Sequence, residues 1–338
     1  MEPTEIDQSI VSAGLCRGEG LRILITGGTG FVGTHLVRFL KSRDSQISVI
    51  ASGNRANREP AVQYYELDIR DADRVRSVIR ETNPQQLYHL AGVAAVDASR
   101  ADPRRTYEIN VFGALNVFDA AMSLPVPPSI LNISTSQIYA PATGILTEES
   151  PLRPANPYAA SKAMAELLVS QYRDLAGGGI ITARPFNHTG PGQPPNFVLP
   201  AIAKQFAEME LGWRPPKLRV GNIMVRRDFT DVRDVVRAYA ILLEKGRTSE
   251  LYNVCSGSAV LLSDIIRMFE ETSGIEITTE IDPEKVRTGE ISEIYGDPRK
   301  LQAETGWNRE IPLRKTVEDM LNYWRSQCES QNVISTSG

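Results

Sequence analysis

The sequence has few cysteines, no long hydrophobic run and no strong excess of charge. Its three cysteines, Cys16, Cys255 and Cys328, lie far apart in 338 residues. An odd number of distant cysteines excludes a disulfide framework and a cysteine metal site, and it favours a reducing compartment. We therefore expect a cytoplasmic protein without a metal centre.

Two further absences concern membranes and nucleic acids. No stretch approaches the ~20 consecutive apolar residues that span a bilayer. Residues 1–20 lack the basic start and apolar run of a signal peptide. The formal net charge is −4, so a basic face for a polyanion is not expected. These features predict neither a membrane partner nor a nucleic-acid partner.

The sequence does contain a repeated alternation of short apolar runs and longer amphipathic segments. This alternation predicts parallel strands joined by crossover helices, and hence an α/β fold with a doubly wound parallel sheet of Rossmann type. The predicted strands lie at 21–28, 47–52, 62–71, 85–92, 129–135 and 177–187. Long helices are predicted at 103–123 and 157–176.

A glycine-rich segment directly follows the first predicted strand. Gly27, Gly30 and Gly33 recur at intervals of three. Gly27 allows a tight turn, Gly30 lets the backbone approach a pyrophosphate, and Gly33 lets the next helix pack on the strand. That helix begins with Phe31 and Val32, and its start offers N–H groups and a positive dipole end to phosphates. The context predicts a dinucleotide-binding turn rather than a turn that serves only the chain's path.

The end of the second predicted strand indicates which dinucleotide binds. NAD enzymes place a carboxylate there for the ribose 2′-hydroxyl, but residues 51–55 read Ala-Ser-Gly-Asn-Arg. Arg55 could pair with a 2′-phosphate through its forked donors. The alternative is that Arg55 and Arg58 are solvated loop charges. We predict NADP(H) as the preferred cofactor, with NAD(H) also accepted.

A tyrosine and a lysine form the predicted catalytic pair. Tyr158 and Lys162 are four residues apart, on one face of the helix predicted at 157–176. An ammonium stabilises a nearby phenolate, so Lys162 is expected to lower the pKa of Tyr158. Thr135 and Ser136 end the fifth predicted strand, where a hydroxyl can polarise a substrate carbonyl. Together these residues predict proton transfer coupled to hydride chemistry.

These motifs together resemble the extended short-chain dehydrogenase family, whose members act on nucleotide sugars. The resemblance covers about 21–330, and it implies a first lobe for the nicotinamide cofactor and a second for the nucleoside diphosphate. It also implies an adenine site at Asp68 and Ile69 and a further cofactor segment at Leu90, Ala91 and Gly92. A kinked helix is implied at Asn110. By this analogy, Asn110 holds the kink or the water through which protons are replenished.

The alternation of strands and helices breaks after Asn187, and this break divides the chain into units. The expected units are a disordered tail at 1–20, a Rossmann dinucleotide-binding domain at 21–187 to which 225–257 returns, a nucleotide-sugar-binding lobe at 188–224 and 258–330, and a disordered tail at 331–338. Six prolines interrupt the region 188–222, where irregular structure is expected. Helices at 103–123 and 158–175 occupy places where this family often forms a four-helix dimer interface, so a homodimer is expected.

Several segments resemble the GDP-sugar branch of the family, most closely the GDP-6-deoxy-4-keto-mannose reductases. The implied contacts are Asn187 and Arg227 with the diphosphate, Lys204, Arg287 and Glu290 with the nucleotide portion, and His188 with the cofactor. The residues alone leave alternatives open. Arg227 could belong to a surface ion-pair cluster with Asp228 and Asp231, His188 could be structural, and Glu290 could be solvated.

Gln137 separates the reactions known in the family. The dehydratases carry a glutamate at the position two residues before the counterpart of Tyr139, and an amide cannot replace it as a proton shuttle. The expected activity is therefore reduction of the C4 ketone of GDP-4-dehydro-6-deoxy-D-mannose to GDP-D-rhamnose, with Tyr158 as the acid and Thr135 bound to the oxygen. The alternatives are an NAD-dependent 4-epimerase, which uses the same residues, and a non-catalytic dinucleotide sensor, which the intact residues disfavour.

Overall fold

Strands and helices alternate along most of the chain. The computed structural model describes residues 20–44, 47–53, 62–142, 144–172, 179–286 and 291–336. The strands are β1 (Arg22–Thr26), β2 (Ser48–Gly53), β3 (Gln63–Glu66), β4 (Gln86–His89), β5 (Ser129–Ile133), β6 (Ile145–Leu146), β7 (Ile180–Pro185), β8 (Asn187–Thr189), β9 (Lys217–Val220), β10 (Arg226–Arg227), β11 (Phe229–Asp231), β12 (Leu251–Val254), β13 (Val260–Leu261), β14 (Thr278–Ile281) and β15 (Glu293–Gly296).

The helices flank these strands. They are α1 (Phe31–Arg43), α2 (Ala72–Thr82), α3 (Val96–Ala101), α4 (Pro103–Tyr107), α5 (Ala114–Met122), α6 (Pro157–Ser170), α7 (Val198–Glu210), α8 (Val232–Lys245), α9 (Leu262–Ser273), α10 (Arg299–Thr305) and α11 (Leu313–Thr336). A π-helical stretch (Glu108–Gly113) joins α4 to α5, and 3-10 turns lie at Ser136–Ile138 and Pro283–Lys285.

Seven strands form one sheet, in the order β12-β7-β5-β4-β1-β2-β3, and all neighbours in it are parallel. The chain winds outward in opposite directions from β1 and β4, so their carboxyl ends border the crevice where such sheets bind ligands. This topology confirms the predicted Rossmann fold. β12 adds a strand that the sequence pattern did not show.

Apolar layers bury both faces of this sheet. Ile23 and Ile25 of β1 point into the cluster beneath α1 and α8, whereas Leu24 points into the cluster beneath α2 and α5. All three side chains are fully buried. Because successive residues of a strand face opposite sides, burial on both faces explains the continuous apolar run. The end of β1 is thereby held firmly where the glycine turn begins.

A separate apolar cluster lies beneath α7, α9 and α11. Within it, Phe206 stacks on Phe269 with ring centroids 5.6 Å apart. Two small sheets, β13-β10-β15-β6 and β14-β9, accompany these helices. Leu301 and Trp307 fall within the range expected for the second lobe, yet they pack in the core of the large sheet.

Some predicted boundaries are wrong. The helix predicted at 103–123 is interrupted by the π-helical stretch, and α6 ends at Ser170. The proline-rich region 188–222 contains α7, a helix of 13 residues, because Pro200 lies in its first turn, where a missing N–H breaks no helical bond. α11 continues to Thr336, past the start of the tail expected at 331–338.

Among the described residues, no helix is both long enough and apolar enough to cross a bilayer. Within the same ranges, no group of three or more His, Cys, Asp or Glu side chains could hold a metal ion.

Candidate active site

The glycine turn between β1 and α1 is packed too closely for side chains. Gly27 has a φ of +71°, and a Cβ on it would lie 2.8 Å from the Ala91 nitrogen. A Cβ on Gly33 would lie 2.7 Å from Gly28 Cα. Gly30 is the N-cap residue of α1, and no described side chain caps this helix start. The turn therefore leaves a cradle of backbone donors that fits a pyrophosphate.

The segment after β4 lies against this turn. Leu90 N donates to Thr26 O at 3.1 Å, and Ala91 N donates to Thr26 Oγ1 at 3.4 Å. His89 Nδ1 is hydrogen-bonded to the same Oγ1 at 2.9 Å, and burial lowers the pKa of His89 to about 3. The structure thus brings Leu90, Ala91 and the adjacent Gly92 to the predicted cofactor turn.

Thr135, Tyr158 and Lys162 meet at the carboxyl end of β5. The Thr135 side chain lies close enough to the Tyr158 hydroxyl to affect its pKa, and Lys162 Nζ donates to Ile133 O at 2.7 Å. All three predicted residues are buried, with 5%, 8% and 8% of their surface exposed, respectively. A phenol, a hydroxyl and an amine are therefore gathered at one dry site.

Burial has the largest effect on the pKa values of Tyr158 and Lys162. It raises the pKa of Tyr158, although the neighbouring Thr135 side chain opposes the shift. Burial lowers the pKa of Lys162 to about 8, and the charge of Glu166 opposes that shift. The net shift of the Tyr158 pKa is therefore upward, although Lys162 is expected to lower it, because desolvation of the phenol outweighs the opposing effects. A protonated Tyr158 is suited to donating a proton.

Asn110 lies in the π-helical stretch and fastens the helices around Tyr158. Its Oδ1 accepts from Val93 N at 2.7 Å, and its Nδ2 donates to Val93 O at 3.1 Å and to Ser161 Oγ at 2.9 Å. Ser161 Oγ in turn donates to Tyr158 O at 2.8 Å. π-Helical turns inside α-helices often mark functional sites, and this one aims the asparagine at α6.

Other residues that position Tyr158 were missed from the sequence. Asn156 caps α6 by accepting from Ala159 N at 2.9 Å, and Pro157 occupies the first turn. This Asn-Pro pair is a helix-start signal that was available in the sequence. Ser99 Oγ accepts from Tyr158 N at 3.2 Å. It comes from α3, so no local pattern could reveal it.

An aromatic stack borders the glycine turn. Phe31 lies parallel to His188, with ring centroids 6.4 Å apart, and Phe31 and Val32 pack partly into the neighbouring core. His188 Nδ1 is hydrogen-bonded to Phe186 O at 3.0 Å, and burial lowers the pKa of His188. A neutral His188 therefore has a structural partner and also lies beside the predicted cofactor site.

Asp68 and Ile69 lie beyond the end of β3. Arg70 Nη2 donates to Asp68 Oδ2 at 2.6 Å, and this bond holds the pKa of Asp68 below its usual value. Ile69 packs so closely on Gly113 that a Cβ there would lie 2.6 Å from its side chain. Asp68, Arg70 and Phe112 border a cavity of about 480 Å³. Of the two predicted adenine residues, Asp68 thus borders an open pocket, whereas Ile69 packs on Gly113.

Asn187 and Arg227 lie at the junction of the small sheets. Asn187 Nδ2 donates to Asp228 O at 3.2 Å. The Asp228 carboxylate is buried and accepts from Ser256 N at 2.8 Å and Gly257 N at 3.1 Å, and burial raises its pKa. Asp231 binds Arg233 at 2.7 Å. Both aspartates thus have partners other than Arg227, and the role of Arg227 stays a prediction.

Lys204 lines a cationic cavity of about 350 Å³ beside α7. The lining residues are Pro195, Ala201, Lys204, Gln205, Glu208, Arg214, Arg219 and Lys285. Glu208 pairs with Lys204 at 3.7 Å and with Arg214 at 3.3 Å, which leaves an excess of positive charge. Sequence reasoning found only Lys204, because α7 and β9, which carry most of this lining, were not predicted.

The remaining predicted residues divide into two groups. Ser136 is half-buried and begins the 3-10 turn after Thr135, and Gln137 is exposed beside it. Gln137 Oε1 accepts from Asn156 Nδ2 at 3.4 Å. The other predicted residues, Arg55, Arg58, Arg287 and Glu290, lie outside the described residues. Their roles stay predictions.

Comparison with known proteins identifies the family. Residues 24–320 match the family model described as GDP-mannose 4,6 dehydratase. The chain belongs to this family. GDP-6-deoxy-D-mannose reductase of Pseudomonas aeruginosa is 34% identical, over 92% of this chain and 99% of that protein. UDP-glucose 4-epimerase of Neisseria gonorrhoeae is 31% identical, over 90% of this chain and 97% of that protein.

A solved structure supports the same assignment. The structure of RMD from Pseudomonas aeruginosa complexed with NADPH is 33% identical, covers 91% of this chain and 98% of that chain, and gives a TM-score of 0.81. The resemblance to nucleotide-sugar short-chain dehydrogenases is therefore confirmed. As a member of the GDP-mannose 4,6-dehydratase family, the chain is an NAD(P)-dependent oxidoreductase of nucleotide sugars.

Proposed function

We propose that the protein reduces the C4 ketone of GDP-4-dehydro-6-deoxy-D-mannose with NADPH and forms GDP-D-rhamnose. Support comes from the relative named GDP-6-deoxy-D-mannose reductase and from the neighbour complexed with NADPH. The proposal assigns the cofactor to 21–187 with 225–257, and the nucleotide sugar to 188–224 with 258–330.

The end of β2 is the observation that carries the choice of reductase. Ser52 stands there with 1% of its surface exposed, and its hydroxyl has no hydrogen-bond partner among the described residues. An enzyme that retains NAD places an acid at this position, whereas residues 51–55 contain none. The end of β2 therefore favours NADPH, the cofactor that a reductase consumes, and we assign Arg55, which lies outside the described residues, to its 2′-phosphate.

The proposed mechanism uses the buried group at the end of β5. NADPH, held by the glycine turn and by Lys162, would supply the hydride for the new C–H bond at C4. As the carbonyl π bond breaks, the oxygen gains negative charge, which the Thr135 hydroxyl stabilises by donating a hydrogen bond. Tyr158 transfers its hydroxyl proton to that oxygen and completes the alcohol. Lys162 holds the nicotinamide ribose, and Asn110 maintains the kink beside the route by which the phenol regains its proton.

The second lobe would hold the GDP portion. Asn187 and Arg227 would contact the diphosphate, since forked cationic donors suit phosphate oxygens. Lys204 and its neighbouring cations surround the cavity beside α7, and Arg287 and Glu290 would complete the nucleotide site. The exposed amide of Gln137 supports a reductase over a dehydratase, because it supplies no proton-transferring carboxylate beside Thr135.

The direct test measures NADPH oxidation with GDP-4-dehydro-6-deoxy-D-mannose generated in situ, against the matching UDP and dTDP ketoses. The proposal predicts consumption of NADPH with the GDP sugar and at least about tenfold lower kcat/KM with the others, which corresponds to about 1.4 kcal/mol. If no ketose in this panel consumes NADPH, the proposed reduction is excluded.

A 4-epimerase is the second candidate, because relatives such as UDP-glucose 4-epimerase share the family and most of the chain length. An epimerase returns the hydride to the opposite face and so regenerates its cofactor. The purified protein would then carry tightly bound NAD and act without added cofactor. Release of stoichiometric NAD on denaturation would favour this candidate over the reductase.

We also propose that the protein is a homodimer. Phe112, Met164 and Leu167 lie on the π-helical stretch and α6 with 60%, 45% and 72% of their surface exposed. A second copy would remove these apolar side chains from water. Light scattering should give twice the chain mass, and Leu167→Lys should give the mass of one chain. A monomeric wild-type protein would contradict the proposal.

A further inference from the structure

The proposed catalytic residues belong to two separate segments. Thr135 follows β5, whereas Tyr158 belongs to the first turn of α6, and both side chains are buried at the carboxyl end of β5. The segments are joined by a connection that includes β6 and exposed residues. Productive geometry requires the proton donor and the oxyanion ligand to face the same oxygen. The relative position of the two segments must therefore be fixed by contacts that do not involve the substrate.

A buried ion pair ties α6 to the sheet. Arg184, on β7, donates from Nε to Glu166 Oε1 at 2.9 Å and from Nη2 to Glu166 Oε2 at 2.7 Å. The two side chains are only 6% and 11% exposed, respectively. Glu166 lies one helical turn after Lys162 on the same face of α6. Because a buried charge without its partner is costly, this forked pair strongly fixes the helix.

The same guanidinium also reaches the segment that follows Thr135. Arg184 Nη1 donates to the Tyr139 hydroxyl at 3.0 Å, and this hydroxyl donates to Asn253 Oδ1 at 2.7 Å. The guanidinium lies 4.8 Å from the centroid of the Tyr139 ring. Tyr139 ends the 3-10 turn that begins directly after Thr135. One side chain thus contacts both the helix that carries Tyr158 and the segment that follows Thr135.

We propose that Arg184 is a positioning residue that holds the helix bearing Tyr158 against the segment bearing Thr135. The inference rests on the proposed function, in which these two residues act on one oxygen. Arg184 acts through its partners and does not touch the substrate. Tyr139 and Glu166 are the two contacts through which it works.

Glu166 gives this arrangement an electrostatic consequence. Its charge raises the pKa of Lys162 against the effect of burial. The other titratable groups near the lysine are Tyr158, on the same helix, and His89, whose own protonation Lys162 disfavours. Removal of the Glu166 charge should lower the pKa of Lys162, so the cation is lost at lower pH. The fall of kcat/KM at high pH should then move to lower pH.

The test compares two conservative variants with a matched control. Arg184→Lys keeps a positive charge beside Glu166 but loses the fork, and Tyr139→Phe removes only the hydroxyl. Arg325→Lys is the control, because Arg325 makes a similar forked pair with Glu210, with Nε and Oε2 2.7 Å apart, in the second lobe.

We expect Arg184→Lys to lower kcat at least about tenfold while both KM values stay within about twofold. Tyr139→Phe should have a smaller effect in the same direction, and Arg325→Lys should leave kcat unchanged. Glu166→Gln should move the alkaline limb of kcat/KM to lower pH. A merely structural role would lower the melting temperature and leave kcat per folded molecule and the pH profile unchanged, and that result would overturn the proposal.

Hydrogen exchange gives a readout that needs no turnover. Arg184→Lys should make the amides of 134–140 and the first turns of α6 exchange at least about tenfold faster, whereas Arg325→Lys should leave them as in wild type. Unchanged exchange in Arg184→Lys would contradict the positioning role. If wild type consumes no NADPH with any ketose, the proposed function fails, and the exchange experiment still decides the role of Arg184.

Discussion

The catalytic end of the sheet and the cationic cavity of the second lobe are held by different kinds of interaction. At the sheet end, Lys162 is buried and donates to a backbone carbonyl at 2.7 Å. In the cavity, Lys204 and Arg219 have side chains that are 37% and 57% exposed, and their ion pairs are long, at 3.7 and 3.8 Å. Exposed pairs of this length contribute little stability.

This difference predicts a division of labour. Groups that act on a transition state must be held in one geometry by their surroundings. Groups that capture a charged ligand can change partners when the ligand arrives. Substitutions at the sheet end should therefore mainly lower kcat, and substitutions in the cavity should mainly raise KM.

Tyr158→Phe should have the largest effect. It removes the proposed proton donor but keeps the ring, so kcat should fall about 10³-fold, while the NADPH dissociation constant, measured by fluorescence, should stay within about twofold. Tyr323→Phe, on α11 in the second lobe, is the control. A kcat for Tyr158→Phe equal to that of wild type would show that Tyr158 is not the proton donor.

Gly33→Ala should damage the cofactor cradle. Its Cβ would lie 2.7 Å from Gly28 Cα, so the turn must shift and NADPH should bind at least about tenfold more weakly. Gly306→Ala is a matched control, since it also strains the backbone, at a φ of +75°, but meets no neighbour within 4 Å. It should lower stability alone. Equal NADPH affinity in wild type and Gly33→Ala would contradict the assignment of this turn.

Arg219→Ala tests the role of the cationic cavity in substrate binding. Loss of one cation from the cavity should raise the KM for the GDP sugar roughly tenfold and change kcat less than about twofold. Arg267→Ala, whose side chain is 67% exposed and does not line the cavity, should change neither constant. A fall in kcat with an unchanged KM would show that the cavity is not a ground-state binding site.

His89 should make the sheet end sensitive to acid. Burial lowers its pKa from 6.5 to about 3. Between these pH values, His89 is protonated in the unfolded chain but neutral in the folded chain. Stability from this group is therefore present above pH 6.5 and is lost, at about 1.4 kcal/mol per pH unit, as pH falls toward 3. Urea unfolding over this range should show the loss, and His89→Gln should reduce the slope. Identical slopes would contradict this origin.

The two regions also differ in what the sequence could predict. Gly27 and the Tyr158–Lys162 pair were found because their function depends on local spacing along one turn or one helix face. Arg214 and Arg219 were missed because Arg214 lies in the turn between α7 and β9, and Arg219 lies on β9, whose pairing with β14 joins distant segments. Pro200 was read as a helix breaker, although it lies in the first turn of a helix. Arg184 and Glu166 meet only when β7 and α6 pack together.

The stoichiometry of NADPH tests the central claim most directly. Purified protein, freed of bound nucleotide, is mixed with GDP-4-dehydro-6-deoxy-D-mannose and excess NADPH, and the NADPH oxidised is compared with the ketone lost. The account predicts that one NADPH is oxidised for each ketone reduced, and that Tyr158→Phe slows both losses equally. Conversion of the sugar without loss of NADPH, or loss of NADPH at an equal rate in Tyr158→Phe, would contradict it.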